Sequence, residues 1–208
     1  MTVIPAINAP DFETAKKQIE TAAKFSEWIH VDVTDGVFSP AQIWGSPEEL
    51  AEIGGKAKFE VHLMVASPEG VIDAWLRTGL VKRVIVHLES MTDSVYILAK
   101  CKKYGAEAVL AISPGTEVER LLAHRDDFKY FQILAVTPGW AGQKFNPKML
   151  EKVKFIRKNI PNAIIEIDGG VNSETAPAIK KAGGDLLVSA SYIFRSKDPR
   201  KAYEDLNA

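Results

Sequence analysis

Residues 28–33 read WIHVDV, and their strict alternation decides the fold of this chain. Side chains two positions apart on a β-strand share a face, so Trp28, His30 and Asp32 lie together on one face. The opposite face is wholly aliphatic. A strand of this kind needs helices or another sheet against one face and a polar environment at the other.

Two further runs repeat the arrangement, FEVHLMV at 59–65 and IIEIDGG at 164–170. The first places His62 opposite apolar side chains, and the second places Asp168 in the same way. Such strands suit a barrel whose outer faces pack under helices and whose polar groups collect at the inner C-terminal mouth.

Short β-rich runs alternate with amphipathic stretches eight times along the chain. The predicted strands are about 2–7, 27–33, 58–65, 82–88, 107–112, 129–136, 163–168 and 185–190. Strict alternation indicates parallel strands joined by crossover helices. Eight units without a linker favour a closed barrel over an open doubly wound sheet, which usually has about five or six strands. We therefore predict an α/β fold, a single (β/α)8 TIM barrel, that forms one domain over residues 1–208.

Several helices carry start signals. Residues 46–49, Ser-Pro-Glu-Glu, combine an N-cap, a proline at the first helical position and a glutamate three residues on. Asn146-Pro147 is predicted to open a helix with an apolar stripe at Met149, Leu150, Val153 and Ile156. Further N-cap candidates are Asp11, Ser67 and Asn172.

Composition excludes several classes of function. With 26 Lys and Arg against 27 Asp and Glu, the net charge of -1 does not favour nucleic-acid binding. No apolar run approaches about 18 residues and the N-terminus has no targeting pattern, so we expect a cytoplasmic protein without membrane contact. Cys101 is the single cysteine, and one cysteine forms neither an internal disulfide nor a cysteine-rich metal site.

The polar residues of the three runs form a candidate metal site. His30 and Asp32 end the second strand, His62 ends the third, and Asp168 ends the seventh. Each residue alone is explained by an ordinary structural pair, but their shared position at one mouth favours a single site. Imidazole and carboxylate ligands suit a divalent transition metal, and such a metal suggests proton chemistry on an oxygenated carbon.

Glycine-rich segments at the same mouth predict a phosphate site. TPGWAGQKF at 137–145, GGV at 169–171 and SAS at 189–191 follow the last three strands. Glycines let backbone N–H groups approach a phosphate closely, and barrels often bind one after the last two strands. Any one of these glycines is explained by a tight turn, whereas three clusters at one end indicate a phosphorylated ligand. Residues 137–146 are long enough to act as a lid.

The chain resembles the ribulose-phosphate 3-epimerase family. The resemblance runs from about Ile4 to Pro199 and rests on motifs in the family's order and spacing: IHVDVTDGVFSP, VHLMV, VHLES, TPGWAGQKFNPKMLEKVKFIR and IEIDGGVNSETA. It implies a TIM barrel with Zn²⁺, or else Fe²⁺, Mn²⁺ or Co²⁺, held by His30, Asp32, His62 and Asp168. It also implies that Asp32 and Asp168 are the acid and base on the two faces of C3 of a sugar phosphate. The residues expected to bind the substrate and its phosphate are Met64, Gly139, Gly142, Gly169, Gly170, Ala190 and Ser191.

Some positions depart from the family pattern. Aligning PAINAPDF with the usual PSILSADF puts Ala9 where a serine hydroxyl is expected to face the substrate, and Asn8 in place of leucine. Thr34 replaces a methionine, Leu134 replaces a methionine before the lid, and Ala190 adds a methyl group where the phosphate segment usually has glycine.

Three functions are therefore compared. The first is a metal-dependent 3-epimerase that interconverts D-ribulose 5-phosphate and D-xylulose 5-phosphate. The second is an epimerase for a related ketose phosphate such as allulose 6-phosphate. The third is a non-catalytic sugar-phosphate-binding protein, which Ala9 and Ala190 favour and the presence of both aspartates disfavours. The expected partners are a phosphorylated ketose and, in a homo-oligomer, further copies of the chain, with neither nucleic acid nor membrane.

Overall fold

A computed structural model describes residues 1–207, and Ala208, the last residue of the predicted domain, lies outside the described residues. Eight parallel strands form a closed barrel in chain order, and the first strand pairs with both the second and the last. The strands are β1 Thr2–Ile7, β2 Trp28–Thr34, β3 Lys58–Met64, β4 Val81–His87, β5 Glu107–Ile112, β6 Tyr130–Leu134, β7 Ile164–Asp168 and β8 Leu186–Ser189. The predicted (β/α)8 barrel is confirmed.

Helices cover the outside of the barrel. They are α1 Phe12–Ala22, α2 Pro47–Ile53, α3 Pro68–Arg77, α4 Ser94–Tyr104, α5 Met149–Asn159, α6 Ala176–Ala182, α7 Ser191–Phe194 and α8 Pro199–Asn207. A 3-10 helix, Val118–His124, replaces the α-helix expected between β5 and β6. Its buried residues Val118 and Leu121 are three apart, which suits the tighter turn.

Two predicted N-caps are formed. The Asp11 carboxylate accepts from the Thr14 N–H at 2.8 Å, and the Ser46 hydroxyl accepts from the Glu49 N–H at 3.2 Å. Ser67 precedes α3 as predicted but makes no capping hydrogen bond.

Two other predicted helix starts are wrong, by two residues at Asn146 and by three at Asn172. The Asn146 side chain accepts from the Lys148 N–H at 3.1 Å, and α5 begins only at Met149. Asn172 accepts from the Thr175 N–H at 3.0 Å, and α6 begins at Ala176. In both places the asparagine side chain bonds a nearby backbone group and forms a turn that delays the helix.

The strand faces divide as the alternation predicts. Ile29, Val31 and Val33 of β2 are buried in the apolar layer between the strands and the helices. The register pairs Asp32 of β2 with His62 of β3, so polar groups from neighbouring strands meet inside the barrel. Within residues 1–207, no helix is both long and apolar enough to cross a membrane.

Candidate active site

Four side chains from three strands converge at the C-terminal mouth of the barrel. His62 Nδ1 lies 3.2 Å from Asp32 Oδ1 and 3.4 Å from Asp168 Oδ2, and His30 Nε2 lies 3.2 Å from Asp32 Oδ1. One ligand atom from each of the four lies within 4.8 Å of the others. Two imidazole nitrogens and two carboxylate oxygens at this spacing fit a divalent transition metal, Zn²⁺ included.

The electrostatics of this cluster favour a bound cation. Burial disfavours protonated His30, but hydrogen bonds to Asp32 and Glu60 outweigh it and raise the His30 pKa well above its usual value. Burial of His62 is likewise outweighed by hydrogen bonds to Asp168 and Asp32, which raise its pKa. Burial opposes the ionisation of Asp32, yet hydrogen bonds from both imidazoles lower its pKa. The carboxylates therefore attract positive charge, which a metal supplies once the imidazoles release their protons.

A second polar layer lies deeper in the barrel. His30 Nδ1 is 2.8 Å from Glu60 Oε1, and Arg83 Nη1 is 3.0 Å from Glu60 Oε2 and 3.5 Å from Glu166 Oε2. Burial and neighbouring Glu60 raise the pKa of Glu166 to about 8, and Gln132 donates to its Oε1 at 3.0 Å. His30, Glu60 and Glu166 also have metal-ligand spacing. Because Arg83 already neutralises Glu60 and Glu166 favours its protonated form, the upper cluster is the better cation site.

A cavity of about 320 Å³ opens above the four-residue cluster. Both aspartates line it, whereas His30 and His62 lie beneath its floor and are wholly buried. All the residues predicted to bind the substrate or its phosphate also line it: Met64, Gly139, Gly142, Gly169, Gly170, Ala190 and Ser191. The loops after β6, β7 and β8 thus meet at the same cavity as the two aspartates.

Asn8 is a site residue whose role the sequence interpretation missed. Its Nδ2 donates to Asp32 Oδ2 at 2.8 Å and to the Gly139 carbonyl at 3.0 Å, and its Oδ1 accepts from the Ala141 N–H at 3.3 Å. One amide therefore connects an aspartate of the cluster to the loop over the cavity. Strand parity is the signal that finds Asn8, since it shares the inner face of β1 with Ala6.

The prediction that Ala9 faces the substrate is wrong. Ala9 is wholly buried in the apolar layer outside the barrel, because it follows the outward parity of Val3 and Ile7. The other departures have distinct environments. The Thr34 hydroxyl donates to the Ala41 carbonyl at 2.8 Å and braces the loop after β2, while Leu134 and Ala190 line the cavity.

Two cationic side chains at the glycine-rich end were also missed. Lys144 and Arg195 line the cavity, and neither forms an ion pair within residues 1–207. A Cβ added to Gly142 would lie 3.0 Å from Arg195 Nη1, so the guanidinium lies directly over that glycine. Lys144 stands inside the quoted TPGWAGQKF motif, but no sequence pattern shows that Arg195 folds back over the same loop.

Comparison with known proteins identifies the family. Residues 2–194 match the sequence model of the Ribulose-phosphate 3 epimerase family. The chain belongs to this family. Among curated relatives, "Ribulose-phosphate 3-epimerase" of Chlamydia pneumoniae is 37% identical over 188 residues, which are 86% of this chain and 80% of that protein. "Ribulose-phosphate 3-epimerase" of Chlamydia muridarum is 35% identical over 204 residues, or 93% and 88% of the two chains. Family membership confirms the predicted class of enzyme, an isomerase.

Similarity to solved structures supports the fold alone. The crystal structure of 3-hexulose-6-phosphate synthase from Salmonella typhimurium superposes with a TM-score of 0.72 at 16% identity, covering 99% of this chain and 96% of that one. At that identity the similarity concerns the barrel architecture and not the reaction.

Proposed function

We propose that this epimerase-family protein interconverts D-ribulose 5-phosphate and D-xylulose 5-phosphate, with Asp32 and Asp168 as the acid and base and a divalent metal as cofactor. The observation that carries the proposal is the meeting of both aspartates with His30 and His62 at a cavity that glycine-rich loops and two cationic side chains also line. Zn²⁺ is the first candidate metal, and Fe²⁺, Mn²⁺ and Co²⁺ suit the same ligands.

The aspartates perform complementary steps. Epimerisation at C3 removes a proton next to the C2 carbonyl and returns one to the opposite face, through an enediolate. One carboxylate must be ionised to accept a proton while the other is protonated to donate one. Asp32 and Asp168 come from β2 and β7, so they approach the cavity from different sides of the barrel. When bound, a divalent ion stabilises negative charge that develops on the sugar oxygens.

Asn8 orients Asp32 for this step. The Asn8 amide donates to Oδ2 of Asp32, so Oδ1 faces the imidazoles and rotation of the carboxylate is limited. Because the same amide also contacts Gly139 and Ala141, the orientation of Asp32 depends on the position of the loop over the cavity. That loop, residues 137–146, is our proposed lid, and it excludes water from the reacting carbon when it is in place.

The glycine-rich, cationic part of the cavity suits a phosphate. Gly142 lies under the Arg195 guanidinium, Gly170 lies against the Phe145 backbone, and Ser191 offers a hydroxyl. Lys144 and Arg195 add positive charge beside them. Arg presents a planar set of donors that matches phosphate oxygens.

A six-carbon ketose phosphate such as allulose 6-phosphate is the second candidate substrate. A smaller cavity of about 100 Å³ adjoins the main one and shares Asn8, Ala141, Ala190, Ser191 and Arg195 with it. This adjoining volume provides room for a longer chain beside Ser191 and Arg195.

Proton NMR in D₂O tests the proposal directly. Ribulose 5-phosphate mixed with the protein is expected to gain deuterium at C3 while xylulose 5-phosphate forms, and activity is expected to disappear after chelation and return with Zn²⁺. Absence of exchange at C3 would support the non-catalytic alternative, and faster turnover of allulose 6-phosphate would support the second substrate. Full activity in protein shown by elemental analysis to be metal-free would contradict metal dependence.

The contact between Gly170 and the lid gives a further prediction. Gly170 has φ +68°, and a Cβ there would collide with the Phe145 backbone nitrogen. Gly170→Ala is therefore expected to displace the end of the lid and raise the KM for ribulose 5-phosphate by about tenfold or more, equivalent to about 1.4 kcal/mol of lost binding.

Gly79→Ala is the matched control. Gly79 has a similar φ of +71° but nothing within 4 Å of the added Cβ. The Gly79→Ala variant therefore carries the same backbone strain as Gly170→Ala, about 1–2 kcal/mol, without touching the lid. Equal KM values for the two variants, with both still folded by circular dichroism, would show that the Gly170 contact does not position the substrate.

A further inference from the structure

His87 is a wholly buried histidine that the four-residue cluster does not include. It ends β4 and lies beside His62, with the two Nε2 atoms 2.8 Å apart and the ring planes only 16° from parallel. Phe38 also packs against the His87 ring, with the ring centroids 4.7 Å apart. A buried nitrogen–nitrogen contact of this length requires one ring to donate and the other to accept.

The proposed metal site decides the direction of that hydrogen bond. His62 presents Nδ1 to Asp32 and Asp168, so Nδ1 is its ligand atom and must carry a lone pair. In the neutral ring the proton is then on Nε2, which donates to Nε2 of His87. The single proton of neutral His87 is consequently on Nδ1.

Glu89 accepts that second proton. Its Oε2 lies 3.1 Å from His87 Nδ1. Its Oε1 accepts from the Ser113 N–H at 2.7 Å and from the Thr116 hydroxyl, so the carboxylate is held in one orientation. Lys152 fixes the same loop by donating to the Pro114 carbonyl at 2.8 Å. Every proton in this series points away from the metal site, and every lone pair points toward it.

We propose that His87 and Glu89 are positioning residues that hold His62 in the tautomer whose Nδ1 can bind the metal. The inference rests on the proposed metal site and extends it by a histidine and a carboxylate that touch neither metal nor substrate. Carboxylate partners of ligating histidines are known to fix ring orientation and tautomer in this way, here through one intervening imidazole.

Glu89→Gln reverses the series with almost no change in shape. The Ser113 N–H can only donate, so the Gln oxygen must take the place of Oε1 and the amide NH₂ must face His87. His87 Nδ1 then accepts, its Nε2 donates, and His62 is forced to carry its proton on Nδ1. The variant is expected to bind Zn²⁺ about 10- to 100-fold more weakly than the parent protein in competition with a chromophoric chelator.

A second measurement begins with the parent protein and so does not depend on the variant folding. In the parent protein labelled with ¹⁵N-histidine and loaded with Zn²⁺, we expect the His62 proton on Nε2 and the His87 proton on Nδ1. In metal-free Glu89→Gln both assignments are expected to be exchanged. A purely structural role for Glu89 would lower thermal stability without exchanging either tautomer.

Glu69→Gln is the matched control. Glu69 also braces a loop, accepting from the Thr92 N–H at 2.7 Å and the Asp93 N–H at 2.9 Å, but it contacts no histidine. Its replacement is expected to leave Zn²⁺ affinity unchanged within about twofold. Equal Zn²⁺ affinity in Glu89→Gln and the parent, or His87 protonated on Nε2 in the parent, would overturn the inference and leave the metal site standing. A parent protein that binds no divalent ion would overturn both.

Discussion

Asp168→Asn and Asp32→Asn are each expected to lower kcat/KM for ribulose 5-phosphate by about 10²- to 10⁴-fold, the usual contribution of a positioned acid or base. Both residues line the cavity beside the histidines, so each substitution removes one of only two carboxylates that can reach the reacting carbon there. When one face of C3 has no carboxyl group, a proton removed from the opposite face cannot be replaced on that first face.

The decisive measurement is deuterium exchange without inversion. The aspartate left in each variant can still remove and return the C3 proton on its own face, so one epimer is expected to exchange in D₂O without forming the other. The two variants are expected to exchange opposite epimers. Each substitution also removes a charged candidate ligand, so metal content is measured on the same samples.

Asp126→Asn serves as the control because Asp126 is highly exposed and, within residues 1–207, forms an ion pair only with neighbouring Arg125. It is expected to leave turnover and exchange unchanged. Near-normal turnover in a metal-replete Asp32 or Asp168 variant would rule out that residue as the acid or base.

Removal of the substrate phosphate is expected to have the second-largest effect. Free ribulose has no phosphate with which to bind Lys144, Arg195 or the glycine backbone that lines the cavity. Hydrogen bonds to a charged group contribute about 1.5–3 kcal/mol each, so losing two of them corresponds to a factor on the order of 10²–10⁴ in kcat/KM. Part of the loss should fall on kcat, because remote binding energy also positions the reacting carbon.

Arg195→Gln assigns part of this effect to one residue. It is expected to raise the KM for ribulose 5-phosphate by about tenfold, which corresponds to the loss of one charged hydrogen bond. The weak activity on free ribulose is expected to stay unchanged. Arg200→Gln is the control, since Arg200 donates to the Lys24 carbonyl and lies outside the cavity. Equal catalytic efficiency on ribulose and its phosphate would contradict a phosphate site among these loops.

The barrel itself was predictable because its signals are local. Period-two alternation in 28–33, 59–65 and 164–170 assigns each side chain to a strand face without reference to the rest of the chain. The same alternation places His30, Asp32, His62 and Asp168 on the inner faces of their strands, toward the mouth at which parallel strands meet. The expectation for Ala9 was wrong because Ala9 lies beyond the end of β1, where resemblance to a family motif does not show which way a side chain points. Strand parity places Ala9 with Ile7 on the outward face and Asn8 with Ala6 on the inward face.

The helix starts show a second limit of local signals. Asn146 and Asn172 carry the residue type of an N-cap, yet each bonds backbone within its own turn, and the helix begins three residues after Asn146 and four after Asn172. Cap and turn use the same side-chain chemistry, so residue type alone does not separate them.

By itself, the sequence determined the strands, the closed barrel and the four residues of the candidate metal site, because alternation and strand order need only neighbouring residues. Only the tertiary structure decided which groups surround that site. The register between β3 and β4 shifts at one point, pairing Phe59 with Val81 but Glu60 with Arg83, and this shift sets the inward face of β4. His87 thereby meets His62, and Arg195 reaches Gly142 across more than fifty residues. Contacts of this kind depend on register and on loop paths that no local pattern records.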